Sequence, residues 1–286
     1  MIFRDVKRVL IVGLGLLGGS YAKALKKKGI LVDAITLEQS SIDYALANGI
    51  IDRGTTSVDG TIIAEADLIV FALYPHIFVD WIKKNGRLFR TGQVITDVTG
   101  VKESVVYEVQ NLLPEGVEYI AAHPMAGREV GGVENSDDAL FRGANYIVVP
   151  TEKNTTDSIW LCTELGYALG FADVSCLDPK KHDEMIGFLS QLTHCIAVSL
   201  MCTCDDPNMK RYTGDSFRDL TRIANINDEM WSELFLANRQ TLLEQMEAYR
   251  ARFDRMYECL KDGDREGIRE MMRLSTARRQ LFEKKE

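Results

Sequence analysis

The sequence predicts an α/β fold, a doubly wound and mostly parallel sheet followed by an all-helical C-terminal domain. Two observations predict it. Short, continuously apolar runs alternate with helix-like segments through the first half, and strand-like runs vanish after Asp178-Pro179. Continuous apolar runs suit strands buried on both faces, and parallel strands need crossover helices between them.

Val9-Leu10-Ile11-Val12 is the first strand, ending at glycine. Residues 21–28 read as a helix with a basic end, stopped by Gly29. Residues 31–37 form a second strand, and residues 41–48 a helix closed by Gly49. Residues 67–73 are the third strand, ended by Pro75. Val94-Ile95-Thr96 and Tyr119-Ile120-Ala121-Ala122 add two more, with a helix over 103–113 between them. Tyr146-Ile147-Val148-Val149 precedes Pro150. Beyond residue 178 the periodicity is helical. Residues 180–204 read as one long apolar helix, broken by Asp205-Asp206-Pro207-Asn208. Residues 228–261 and 264–283 are amphipathic helices on either side of Gly263. The expected domains are 1–178 and 179–286, and residues 283–286 read as a solvated end.

The 286 residues are 46% hydrophobic and 27% charged, enough for a core that needs neither metal nor disulfide. A net charge of -8 argues against nucleic acid and anionic membrane as partners, since both reward clustered Lys and Arg. A small anionic ligand needs only a local basic pocket. The six cysteines show no C-x-x-C spacing and read as reduced thiols. No apolar run approaches membrane-spanning length and none precedes a cleavage site, so a cytoplasmic location is expected.

Gly13-Leu14-Gly15-Leu16-Leu17-Gly18 follows the first strand and opens a helix, the context in which G-x-G-x-x-G means a dinucleotide site. Gly13 permits the tight turn, Gly15 lets backbone approach a pyrophosphate, and Gly18 lets helix and strand pack closely. Free N–H groups at the helix start face the anion, which places Leu16 and Leu17 at the cofactor, together with Pro75. An acidic residue that reads ribose is expected about 20 residues on. The candidates are Asp33, in mid-strand, and Glu38, just past the strand; Thr36 stands where an Asp is expected. Glu38 and the lack of an arginine before Arg53 favour NAD, with NADP the alternative.

His123-Pro124-Met125-Ala126-Gly127 follows an apolar strand. A histidine at the carboxyl end of a parallel strand faces the ligand crevice and can accept a hydroxyl proton as hydride leaves the same carbon. The other reading is a structural histidine capping a turn. Arg218 and Arg222 are four apart and share a face if helical. Two guanidinium groups suit a dianion, or else form a surface ion-pair ladder. His182 and His194 are 12 apart, more than three helical turns, so no single metal joins them. His194 reads as a polar substrate contact and His182 as a cap or surface group. No metal is expected.

Together these motifs resemble the prephenate dehydrogenase family, including its arogenate-using members. The resemblance runs through the glycine loop, Asp97-Val98-Thr99-Gly100-Val101-Lys102, the His123 motif, Ser190-Gln191-Leu192-Thr193-His194, and Phe217-Arg218-Asp219-Leu220-Thr221-Arg222-Ile223-Ala224 with Trp231. It implies an N-terminal Rossmann domain and a C-terminal helical domain that forms a homodimer. It implies that His123 accepts the proton of a ring hydroxyl and that Arg222 binds a substrate carboxylate. Arg218 would assist with the side-chain carboxylate, and Ser190, His194 and Trp231 would line the substrate pocket. The chain departs from the family at Gly100, where a serine commonly supports the catalytic histidine, and at Arg128, where Ser or Thr is common. Whether Thr99 replaces the missing hydroxyl is open, as is the role of Arg128.

The implied reaction is NAD(P)-dependent oxidative decarboxylation of prephenate to 4-hydroxyphenylpyruvate, in tyrosine biosynthesis. Arogenate, giving tyrosine directly, is the alternative substrate. A dehydrogenase acting on a small hydroxy acid and a dinucleotide sensor without turnover are the competing readings.

Overall fold

Strand β1 (Arg8–Val12) shows why the first sheet forms. Val9 and Ile11 pack into one apolar cluster, and Leu10 and Val12 into another on the opposite face. Side chains alternate across a strand, so a run apolar at every position must be covered twice. In this computed structural model, which describes residues 3–128 and 130–282, helices supply that cover. The expected solvated end at 283–286 lies outside the described residues.

After β1 come α1 (Leu16–Lys27), β2 (Leu31–Ile35), α2 (Gln39–Ala47), β3 (Arg53–Thr55) and α3 (Gly60–Glu65). They are followed by β4 (Leu68–Phe71), α4 (Pro75–Asn85), β5 (Val94–Asp97), α5 (Glu103–Leu112) and β6 (Glu118–Tyr119). The six strands lie in the order β3-β2-β1-β4-β5-β6, every pair parallel. Strand order reverses between β1 and β4, which opens a crevice at their carboxyl ends.

The segment 119–122, expected as one strand of this sheet, is divided between two sheets. Ile120 N–H still donates to Ile95 (2.9 Å), and the chain then crosses into β7 (Ala121–Pro124). Strand β7 pairs antiparallel with β8 (Asn145–Val149), His123 opposite Ile147. Helix α6 (Thr156–Leu169) returns the chain to β9 (Asp173–Cys176), parallel to β8. His123 therefore stands on a strand whose ladder is antiparallel, not at the end of a parallel one. Strand β9 carries polar and exposed positions, which hid it from a search for apolar runs.

The helical part begins with α7 (Pro179–Ile186), continues through a π-helical turn (Gly187–Leu192) into α8 (Thr193–Met201), and so is one run of 23 residues. This run is long and apolar enough to cross a membrane, yet its buried His182 and Asp183 are hydrogen-bonded to the sheet region. Then follow α9 (Asp215–Thr221), a 3-10 turn (Arg222–Ala224) and α10 (Asp228–Ala237). The expected helix over 228–261 is interrupted at Asn238. Its buried amide donates to the Asp183 carbonyl (2.9 Å) and to Gln191 Oε1 (2.8 Å), bonds that a helical continuation would not orient.

The chain divides into two compact units, Met1–Asn238 and Arg239–Glu286. Strands stop near residue 178, but α7 to α10 stay with the first unit, joined to it through Ile186 and Leu234 in the apolar cluster. The second unit is a hairpin of α11 (Arg239–Lys261) and α12 (Arg265–Arg279). Gly263 takes φ +67° at the bend, and Asp264 caps α12 by accepting from Gly267 N–H (2.9 Å). Met246, Tyr249, Phe253, Tyr257 and Leu260 form an exposed stripe at three- and four-residue spacing along α11.

Candidate active site

The glycine loop ends β1 at the switch point. Gly13 has φ +96°, and a side chain there would overlap the Ala72 carbonyl of the neighbouring β4 turn. A side chain at Gly18 would overlap the Gly13 carbonyl, whereas Gly15 faces open space within 4 Å. Close packing at two glycines and an open approach at the third make a cradle for a pyrophosphate. Leu16 and Leu17 open α1 with no side-chain cap, so their N–H groups face that space. Pro75 is buried at the first position of α4.

The two acidic candidates separate clearly. Asp33 is fully buried and held by Arg8 (2.8 and 3.1 Å) and Arg53 (2.6 and 3.0 Å). Arg53 also binds Glu65 at 2.7 Å. Asp33 and Arg53 are thus committed to a structural ion cluster. Glu38 is exposed at the start of α2, just past β2, and accepts from the Ser41 hydroxyl (3.2 Å). That is where an acid that reads ribose is expected. These residues fit a dinucleotide.

His123 is half-buried, with Nδ1 2.9 Å from His182 Nε2. His182 Nδ1 lies 2.7 Å from Asp183 Oδ1. Asp183 also accepts from the backbone N–H groups of Lys102 (2.9 Å) and Glu103 (2.8 Å), at the start of α5. The tautomers follow from this order. A carboxylate accepts, so His182 Nδ1 carries the proton and Nε2 accepts from His123 Nδ1–H. His123 Nε2 is then the bare, basic nitrogen. His182, expected as a cap or surface group, is instead fully buried and orients the candidate base.

Beneath this chain lies a buried ion pair. Lys102 Nζ is 2.6 Å from Asp97 Oδ2 and donates to the Ala122 carbonyl at 2.7 Å. Asp97 also accepts from the Tyr119 hydroxyl (2.9 Å) and the Ala122 N–H (3.2 Å), locking the strand that carries His123. The Thr99 hydroxyl faces Asp97 and accepts from Lys102 Nζ (3.1 Å), so it supports the ion pair and does not stand in for a serine on His123. Burial, then the neighbouring His182 and the Lys102 charge, hold His123 well below the ordinary histidine pKa. Burial, then Lys102, brings His182 down to about 3. Both rings are neutral at neutral pH.

The helical segment closes the other side. His194 and Trp231 stack with ring centroids 3.7 Å apart. His194 Nδ1 lies 2.8 Å from the Ser190 carbonyl, inside the π-helical turn. Leu234 methyls lie 3.5 Å from where a side chain at Gly100 would start, and His123 Cε1 lies 3.9 Å from that point. Leu234 thus brings α10 up to Gly100 and His123, and Trp231, three positions earlier on the same helix, carries the stack on His194. Arg222 begins the 3-10 turn that packs against α8. Arg218 lies on α9 and is exposed, bound to Asp215 (3.0 Å) and the Thr213 carbonyl (3.0 Å). Arg222 caps the end of α9 with helical φ -51° and ψ -42°, four positions after Arg218. Arg128 pairs with Asp137 at 3.3 Å on the surface.

Two family profiles match this sequence: the nucleotide-binding domain of prephenate dehydrogenase over residues 21–168, and the prephenate dehydrogenase dimerization domain over residues 178–274. The chain belongs to the prephenate dehydrogenase family. A prephenate dehydrogenase of Lactococcus lactis subsp. cremoris is 31% identical over 97% of the chain and 78% of its own length. The Bacillus subtilis prephenate dehydrogenase is 29% identical over 91% of the chain and 72% of its own length. A prephenate dehydrogenase from A. aeolicus, solved with hydroxyphenyl propionate and NAD+, superposes with a TM-score of 0.88 at 29% identity, over 97% of this chain and 98% of that one. Membership makes the chain an oxidoreductase with a dinucleotide-binding domain. Within this prephenate dehydrogenase fold, the residue that sequence reasoning misplaced is His182. Its signal was weak: a His-Asp pair in the first turns of a largely apolar helix, directly after the Asp178 cap.

Proposed function

We propose that this chain oxidises prephenate with NAD and releases carbon dioxide, giving 4-hydroxyphenylpyruvate for tyrosine biosynthesis. The observation that carries the proposal is the His123–His182–Asp183 chain, which leaves one neutral imidazole nitrogen bare near Gly100. Bound dinucleotide supplies the hydride acceptor. The cradle of Gly13, Gly15 and Gly18, with the Leu16 and Leu17 N–H groups, would hold its pyrophosphate, and Glu38 its ribose. The choice of NAD over NADP is supported by Glu38 and by the engagement of Arg53 with Asp33 and Glu65.

His123 Nε2 accepts the ring hydroxyl proton as hydride leaves the same carbon. The ring carboxylate departs as carbon dioxide, its electron pair moves through the diene to the new carbonyl, and His123 returns the proton to that oxygen. Aromatisation drives the step. Arg222 binds a substrate carboxylate, with Arg218 assisting at the side-chain carboxylate, while Ser190, His194 and Trp231 line the ring. Residues 1–178 hold the dinucleotide, and residues 179–286 supply substrate contacts and dimerisation. A homodimer is supported by the family profile and by the exposed apolar stripe on α11. We place the enzyme in the cytoplasm, with a small molecule and a second copy of the chain as its partners.

The decisive experiment follows reduced nicotinamide by absorbance, crossing prephenate and arogenate with NAD and NADP. Turnover fastest with prephenate and NAD is expected. Turnover of arogenate alone would replace the substrate assignment, and no turnover of either would overturn it.

A further inference from the structure

One helix touches both halves of the first unit. On α10, Trp231 stacks on His194, and Leu234 reaches toward Gly100 and His123. Between them in sequence, Glu233 reaches the other way. Its Oε1 accepts from the backbone N–H of His76 (2.8 Å), and its Oε2 lies 2.7 Å from His76 Nδ1. Four positions before Trp231, Asn227 Nδ2 donates to the Tyr74 hydroxyl (3.3 Å).

His76 belongs to the first turn of α4, which Tyr74 leaves without a side-chain cap. Glu233 thus supplies, from another element, both an acceptor for an orphan N–H and a negative charge at the positive helix end. The turn that leads into this helix start, Ala72 to Pro75, abuts Gly13 at the switch point. A dinucleotide resting in the glycine cradle lies against that turn. The helix clasped to it carries the ring stack on the substrate side.

We propose that the Glu233–His76 clasp couples the two ligands: dinucleotide binding settles the turn, the clasp settles α10, and substrate then meets a preorganised Trp231–His194 stack. Glu233 is a positioning residue in this scheme and touches neither ligand. By linkage the coupling is reciprocal, so substrate tightens dinucleotide by the same factor. The proposal rests on the dehydrogenase reading above.

The test measures the dissociation constant of hydroxyphenyl propionate with and without saturating NAD, by calorimetry, on full-length protein. Prephenate turnover is assayed first on the same wild-type preparation, so the activity is judged separately. The wild-type ratio is expected to be about fivefold or more, the lower end of usual site–site coupling. Glu233→Ala should bring the ratio to near one while each ligand still binds alone. Glu233→Gln keeps an oxygen for the His76 N–H and should restore most of the ratio, which a merely destabilised fold would not do. A turning-over wild type with a ratio of one, or a Glu233→Ala protein with the wild-type ratio, would overturn the clasp and leave the activity standing.

Discussion

Nδ1 of His123 stands 2.9 Å from Nε2 of His182, and that contact decides which nitrogen of the His123 ring stays bare. Remove His182 and the ring of His123 can turn or exchange tautomer. His182→Ala should lower kcat on the order of 100-fold, the usual consequence of a slightly misplaced catalytic group, with little change in the NAD dissociation constant. It should also move the acid limb of the kcat/KM profile upward, because burial, to which the His182 ring packed on it contributes, holds the His123 pKa down. An unshifted limb in steady-state kinetics would separate His182 from the base.

His123→Asn removes the proposed proton acceptor itself. Turnover should fall on the order of 10²–10⁴-fold with NAD binding preserved. Steady-state rates beside a calorimetric NAD titration read both quantities, and near wild-type turnover would strip His123 of its role.

The glycines of the cradle should respond differently to one added methyl. Gly18→Ala forces overlap with the Gly13 carbonyl and should cost roughly 1–3 kcal/mol of stability, read from denaturant unfolding. Gly15→Ala meets nothing within 4 Å, so its unfolding midpoint should stay put while NAD affinity drops. A Gly15→Ala protein with unchanged affinity would place the pyrophosphate elsewhere.

Arg222 and Arg218 should not be equivalent. Arg222→Ala should raise the KM for prephenate by about 10- to 100-fold, the worth of a charge-assisted hydrogen bond of about 1.5–3 kcal/mol. Arg218 sits in an exposed pair with Asp215, and its truncation should cost about 1 kcal/mol or less in substrate affinity. Equal effects on KM would mean that both guanidinium groups hold the dianion.

Acid should destabilise the fold through its neutral histidines. In the unfolded chain His182 regains an ordinary pKa near ~6.5, whereas in the fold it is held at about 3. The unfolded state therefore binds the proton first. This stability is fully present above the unfolded value and is lost as pH falls toward the folded one, by about 1.4 kcal/mol per unit. Urea unfolding at pH 7 and pH 5 should show wild type losing about 2 kcal/mol more than His182→Ala.

Much of the first sheet was legible because its strands are buried on both faces and cannot hide among polar residues. Val9 to Val12 and Leu68 to Phe71 are of this kind. The second sheet was not legible. Strand β9 is largely exposed, and the passage from β6 to β7 at Ile120 leaves no mark in an unbroken apolar run. In the site, the glycine loop and His123 announce themselves through local sequence. His182 does not, since its meaning comes from a partner 59 positions away. Glu233 is hidden for the same reason: its partner His76 lies 157 positions upstream. The break at Asn238 escaped because periodicity reads straight through a residue whose side chain bonds sideways to Asp183 and Gln191.

The wide turn at Gly187–Leu192 lies between His182 and His194. Such a turn holds one more residue than the regular winding needs, so it acts as a phase setter between the two rings. Winding that stretch at ordinary pitch with every residue kept would swing everything downstream by about 100° about the axis. One ring would keep its place while the other left its aromatic neighbour. The angular offset between the two imidazoles is thus written as an insertion in the helix.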